Sequence, residues 1–220
     1  MMKEDEPRIK ISKDGPYIVT GRVPLSVQLV VSDDDGIPVE WNTGHTYPLQ
    51  ETYALCRCGH SKNLPFCDGT HKKIDFDGTE TADNAPYLTK ANNIDGPTLK
   101  LTDCEELCVG AGFCDRDAGI WSLVKNSDNP SAKNIAIEEG LNCPSGRLVI
   151  WDEQGRPMEP EYEPSIGLMR DPAIGTVGPI IARGGISIES VDGNVYELRN
   201  RVTLCWCGLS KNKPFCDASH

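Results

Sequence analysis

Short apolar runs rich in β-branched residues recur along the chain, each bordered by Gly, Pro or Asp: Ser26 to Val31, Thr52 to Leu55, Ile186 to Ile188 and Val202 to Leu204. Such runs predict strands, because branched side chains suit a pleated surface and the bordering residues favour turns. Thr98 to Leu101, Ile120 to Val124 and Leu148 to Trp151 give the same pattern in the middle of the chain. Ser131 to Gly140 instead predicts a short helix, with Ser131 as its N-cap and Gly140 as its stop. No apolar run approaches the roughly 18 residues a membrane span needs. The start, Met1-Met2-Lys3-Glu4-Asp5-Glu6-Pro7, lacks the basic-then-apolar order of a secretory signal.

The pattern repeats. Cys56-Arg57-Cys58-Gly59-His60-Ser61-Lys62-Asn63-Leu64-Pro65-Phe66-Cys67-Asp68-Gly69-Thr70-His71 returns as Cys205-Trp206-Cys207-Gly208-Leu209-Ser210-Lys211-Asn212-Lys213-Pro214-Phe215-Cys216-Asp217-Ala218-Ser219-His220. Upstream, Gly15-Pro16-Tyr17-Ile18 answers Gly178-Pro179-Ile180-Ile181, Gly21 answers Gly184, and Asp35-Gly36 answers Asp192-Gly193. Each copy reads as strand, turn, strand and Cys-rich loop. Two such β units, each with one apolar face, would pack on each other about a pseudo-two-fold axis within a monomer. Between them lies a different segment, opened by the polar stretch Thr79 to Asn84 and closed by Pro157, Pro160 and Pro164, which read as linkers. The expected division is therefore 1–78, 79–165 and 166–220, in an α+β, mainly β fold.

Composition narrows the chemistry. The chain has 220 residues, with 21 Gly, 16 Pro and a formal charge of -11. That acidity argues against nucleic acid and anionic membranes as partners and would attract a basic protein surface, although it also simply keeps a protein in solution. Ten cysteines without a secretory signal imply a reducing, cytoplasmic setting, where clustered thiols hold metal rather than forming disulfides.

Each repeat supplies Cys-x-Cys, then a third Cys and a His, so three thiolates and one imidazole come from one loop. Soft thiolates suit iron–sulfur clusters or zinc, and imidazole suits both. Zinc knuckles usually space their paired cysteines by two to four residues, whereas here a single residue intervenes. With its Pro-Phe-Cys-Asp-Gly-Thr-His ending, the motif resembles the CDGSH (mitoNEET-like) iron–sulfur family. The resemblance implies one [2Fe-2S] cluster on Cys56, Cys58, Cys67 and His71, and a second on Cys205, Cys207, Cys216 and His220. It also implies two intertwined motifs with a β-cap, here both within one chain. Thr70 and Ala218 depart from the family's Ser and Gly, and Ala218 matters if that backbone must approach the cluster closely. A His in place of a thiolate raises a cluster's potential, and protonation of that imidazole competes with iron. Asp68 and Asp217 either cap the following turn or hydrogen-bond near the cluster. His45 and His60 are expected to be ordinary surface residues.

The remaining cysteines are Cys104, Cys108, Cys114 and Cys143, the last followed by Pro144-Ser145-Gly146. This resembles single-cluster bacterial ferredoxins, whose usual run is C-x2-C-x2-C with a later C-P. Ala111 stands where the middle Cys would be, so Cys108, Cys114 and Cys143 would hold [3Fe-4S]; Cys104 as a fourth ligand would make it [4Fe-4S]. The stretch Lys100 to Asp152 also resembles the divergent single-cluster 4Fe-4S ferredoxin domain, with its Cys-Pro-Ser-Gly ending. A zinc site or buried free thiols are the alternatives. Gly110-Ala111-Gly112 lacks the spacing of a nucleotide loop and reads as a tight wrap around a cluster. The expected function is that of a soluble electron carrier rather than an enzyme, with cluster donation or redox and pH sensing as the rivals.

Overall fold

The computed structural model describes residues 6–219, so His220 lies outside the described residues. The first repeat forms β1 (Arg8–Ile11), β2 (Tyr17–Thr20), β3 (Leu25–Ser32), β4 (Pro38–Thr46) and β5 (Thr52–Leu55). The middle segment forms α1 (Tyr87–Lys90), β6 (Asn92–Asp95), β7 (Lys100–Asp103), α2 (Ile120–Lys125), α3 (Pro130–Asn142), β8 (Leu148–Trp151) and β9 (Pro157–Met158). The second repeat forms β10 (Ser165–Asp171), β11 (Thr176–Arg183), β12 (Ser187–Glu189) and β13 (Arg201–Leu204).

The two repeats exchange strands. One sheet has the order β12-β1-β2-β5 and the other β13-β11-β10-β3-β4. Thus β12 joins the first repeat by pairing parallel to β1, and β3 joins the second by pairing parallel to β10. Reading β1, β2, β3 and β5 as β10, β11, β12 and β13 turns one order into the other; β4 is the addition. A single core crosses both sheets, in which Ile9, Ile11, Val19 and Leu55 meet Ile166, Leu168, Ile180 and Leu204. Burying such side chains stabilises by about 1.5–3 kcal/mol each before entropy is counted. The crossovers are tight. Gly21 (φ +88°) and Gly184 (φ +76°) each carry backbone where a Cβ would fall 2.7 Å or less from main-chain atoms of Glu6–Pro7 and Glu163–Pro164, respectively.

The middle segment builds its own sheet, β6-β7-β8-β9, covered by α2 and α3. Ile120 to Val124 is helix, not the expected strand. Ile120, Leu123 and Val124 are buried at helical i, i+3, i+4 spacing, and five residues, Ser122 among them, are too few to reveal that period. The cap of α3 is Asn129, whose side chain accepts from the amides of Ser131 and Ala132, with Pro130 in the first turn. Ser131 is therefore inside the helix. Gly140 does not stop α3 either: a Cβ there would meet Ile150 at 2.6 Å, so the glycine lets helix and sheet close up. The polar stretch from Thr79 is no loose tether, since Thr81 and Ala82 donate to the carbonyl of Lys213. Among the described residues no helix is long and apolar enough to cross a membrane.

Candidate metal centres

Both Cys-rich loops are suspended from the same strand position by the same bonds. Cys56 N donates to Pro65 O and Cys67 N to Ala54 O; Cys205 N donates to Pro214 O and Cys216 N to Thr203 O. Ser61 Oγ donates to Phe66 O at 2.6 Å and Ser210 Oγ to Phe215 O at 2.7 Å. Asp68 accepts from the amides of Lys62 and Thr70, and Asp217 from those of Lys211 and Ser219. Both aspartates therefore tie their loops by backbone bonds. Those bonds, the one from Lys62 foremost, hold the Asp68 carboxyl well below the usual range. Ser61 and Ser210 do equal work, which their small polar side chains gave no way to foresee.

The thiols come in pairs. Cys56 Sγ lies 3.6 Å from Cys58 Sγ, and Cys205 Sγ 3.5 Å from Cys207 Sγ. These separations approach the edge, about 3.8 Å, of a tetrahedron of metal–thiolate bonds about 2.3 Å long. Cys67 Sγ lies 3.3 Å from His71 Nδ1, forming a second pair in the first loop. Among the described residues no three His, Cys, Asp or Glu side chains converge on one point, as a single ion needs. Cys56 with Cys58, and Cys67 with His71, give the first loop two pairs of donors of the soft kind that suits iron–sulfur or zinc. Cys56, Cys58, Cys205 and Cys216 are buried and Cys67 and Cys207 half-buried. The Cys205 thiol is held below its usual value, first by the hydrogen bond with Cys207 and further by the amides of Ser210 and Gly208. His45 and His60 lie exposed. Ala218 adopts φ +51° where the first loop has Gly69 at φ +84°; nothing lies within 4 Å of a Cβ at Gly69, so the change costs backbone strain only.

The two loops touch through their glycines. A Cβ on Gly59 (φ +73°) would lie 2.8 Å from the carbonyl oxygen of Cys207, and one on Gly208 (φ +83°) 3.2 Å from that of Arg57. Behind this contact the buried Arg57 donates to the carbonyls of Ser12 and Gly78 and lies over the rings of Tyr17 and Phe76. In the second loop Trp206 takes its place, with the guanidinium of Arg170 stacked 5.0 Å from its ring.

In the middle segment Cys108, Cys114 and Cys143 line one cavity of about 200 Å³, together with Gly110, Gly112, Trp121 and Arg147. Arg147 faces Cys108 and is fixed by Asp103, with Nε 2.6 Å from Oδ1 and an NH2 contact of 2.9 Å. Trp121 Nε1 donates to the same carboxylate at 2.9 Å. Burial, with Asp115 alongside, pushes the Cys114 thiol up to about 12. A pocket with three thiols and one fixed cation suits an anionic cluster. Cys104 stands apart from the cavity wall: it is buried in an apolar group with Tyr87, Leu107 and Val149. The roles of Arg147, Asp103 and Trp121 escape sequence reasoning, because the residues that converge are up to 44 positions apart.

Residues 14–72 and 177–220 match the family model described as iron-binding zinc finger, CDGSH type. Residues 94–153 match the model described as divergent 4Fe-4S mono-cluster. No curated protein and no solved structure matches the chain.

Proposed function

This is an iron–sulfur protein built of two iron-binding CDGSH-type domains with a divergent 4Fe-4S mono-cluster domain between them, and from that premise we propose that it carries single electrons between protein partners. Cys56, Cys58, Cys67 and His71 would hold one [2Fe-2S] cluster, and Cys205, Cys207, Cys216 and His220 a second. Cys108, Cys114 and Cys143 would hold [3Fe-4S], which the place of Cys104 outside the cavity wall favours, or, with Cys104 as fourth ligand, [4Fe-4S], which the description of the matching domain favours. The two CDGSH domains act as an intramolecular pseudo-dimer, for which the exchanged β3 and β12 speak.

The observation that carries the proposal is the pairing of ligands within each loop, joined to the contact between the loops. When bound, such clusters accept and return one electron at a time. The protein's part is to hold the sulfurs rigid and shield them. Gly69 N reaches Cys67 Sγ and Leu209 N reaches Cys207 Sγ, each at 3.5 Å, offsetting part of the negative charge that reduction adds. Arg147 does the same beside Cys108. No substrate-shaped pocket is needed for this task, and the net charge of -11 favours basic partners.

The test is to count iron and acid-labile sulfide in protein purified without oxygen and titrate it with a one-electron reductant. Reversible reduction with clusters retained is expected; zinc without sulfide would end the proposal. Cluster donation is the rival reading, favoured by the partial exposure of Cys67 and His71. Transfer of the visible absorbance to an apo-ferredoxin acceptor would select it.

A further inference from the structure

We infer that the three centres stand in a row, with the second CDGSH loop in the middle and in contact with both others. The inference rests on the reading that all three sites hold clusters, and it concerns how this chain's own residues join them.

The middle segment is attached to one of the two equivalent loops. Val109, next to the ligand Cys108, forms part of the wall around Cys205, Cys207 and Cys216. Asn212 Nδ2 donates to Glu106 O at 3.4 Å, on the turn that leads into Cys108. Phe215, next to Cys216, packs on the apolar group of Leu107 and Cys104. Arg201, four residues before Cys205, is buried and donates to Cys143 O at 2.7 Å.

The first loop has the same residue types and spends them otherwise. Both phenylalanines meet tyrosine edge-on, Phe66 with Tyr47 and Tyr53 at 5.5 and 6.3 Å and Phe215 with Tyr196 at 5.2 Å, but of the two it is Phe215 that packs on the group of Leu107 and Cys104. Thr52 stands where the second repeat has Arg201, and it is exposed. The first loop's own link is to the second: Gly59 against Cys207, Gly208 against Arg57, and Tyr17 donating to Cys205 O. Loop 205–216 is therefore the shared neighbour, and the repeat symmetry is broken on one side.

The order is readable by electron paramagnetic resonance of the full chain reduced with dithionite. The signal of the second centre is the one that Cys216→Ser removes. Its spin relaxation should be several-fold faster in the native protein than in Cys114→Ser or in Cys67→Ser, because each variant silences one neighbour. The first centre's relaxation should slow in Cys216→Ser and stay unchanged in Cys114→Ser. If Cys114→Ser slows the first centre as much as the second, or if the second responds to neither loss, the row is wrong. Should Cys67→Ser fail to fold, His71→Cys tests the same contact between the first and second centres. It keeps the first cluster but lowers its potential, so poising the sample leaves that centre oxidised and diamagnetic beside a reduced second one. Slower relaxation of the second centre on poising supports the row, and no change overturns it. Reversibly reduced clusters with the wrong relaxation pattern refute the order alone; protein without iron and sulfide refutes the electron-carrier reading and the order together.

Discussion

The hydroxyl of Tyr17 lies 2.7 Å from the carbonyl of Cys205, and so donates from the first repeat to the backbone of a proposed ligand in the second. It also reaches Pro214 O at 3.0 Å, and burial holds the phenol protonated by raising it well above its usual value. Tyr17→Phe keeps the ring and leaves two buried carbonyls without this donor. A loss of about 1–3 kcal/mol is expected. Thermal unfolding of the loaded protein measures it, and acid bleaching of the second centre should quicken while the first is spared.

Gly59 and Gly69 share a left-handed backbone but differ in their surroundings. Gly69→Ala faces open space, and Ala218 already occupies the matching place, so a cost of about 1 kcal/mol is expected. Gly59→Ala drives a methyl into Cys207 O and should cost at least twice that, with iron lost from both loops. Equal behaviour of the two variants would mean that the loops do not press on each other.

Arg201 is 2 % exposed and donates to the carbonyls of Gly140, Leu141, Cys143 and Leu148 while pairing with Glu159. Arg201→Met strands a partly buried carboxylate and these carbonyls, so a loss of about 3–5 kcal/mol in denaturant unfolding is expected. Arg201→Lys should rescue little, because an ammonium cannot span acceptors set out for a planar fork.

Glu139 is buried; Oε1 accepts from Arg116 N and Oε2 has no partner among the described residues. Burial raises its carboxyl from 4.5 to about 7. The folded state thus binds this proton more tightly than the unfolded one. The associated stability is complete below about pH 4.5 and is lost as pH climbs through about 7. Between pH 5 and 8 the native protein should lose on the order of 2 kcal/mol more than Glu139→Gln does. Denaturant midpoints at the two pH values decide it.

On the proposed ligation, His71→Cys replaces a neutral ligand by an anionic one. The potential of the first centre should fall by on the order of 100 mV, and its loss at low pH should slow. Redox titration and stopped-flow bleaching at pH 5 are the measurements.

Much of this was legible beforehand, for a physical reason. The Cys spacing is a pattern in one dimension, so the loops announce themselves, and Thr52–Leu55 and Leu148–Trp151 are strands over the bounds their apolar runs mark. β4 escaped notice because most of its residues face solvent and its alternation, Val39-Glu40-Trp41-Asn42, is too brief to stand out. Nor does periodicity say which partner a strand takes. Val27, Leu29 and Val31 mark β3 as a strand, yet nothing in them tells that it lies beside Leu168 of the other repeat. Cys104 shows the same limit, since proximity in sequence to Cys108 did not place its thiol at the cavity.

The exchange of β3 and β12 has a mechanical corollary. Halves laced through each other in this way cannot be teased apart by cutting the string between them. A protease nick in the acidic turn at Glu153–Gly155, whose glycine has open space around it, should leave two fragments that travel as one body until a denaturant unthreads them.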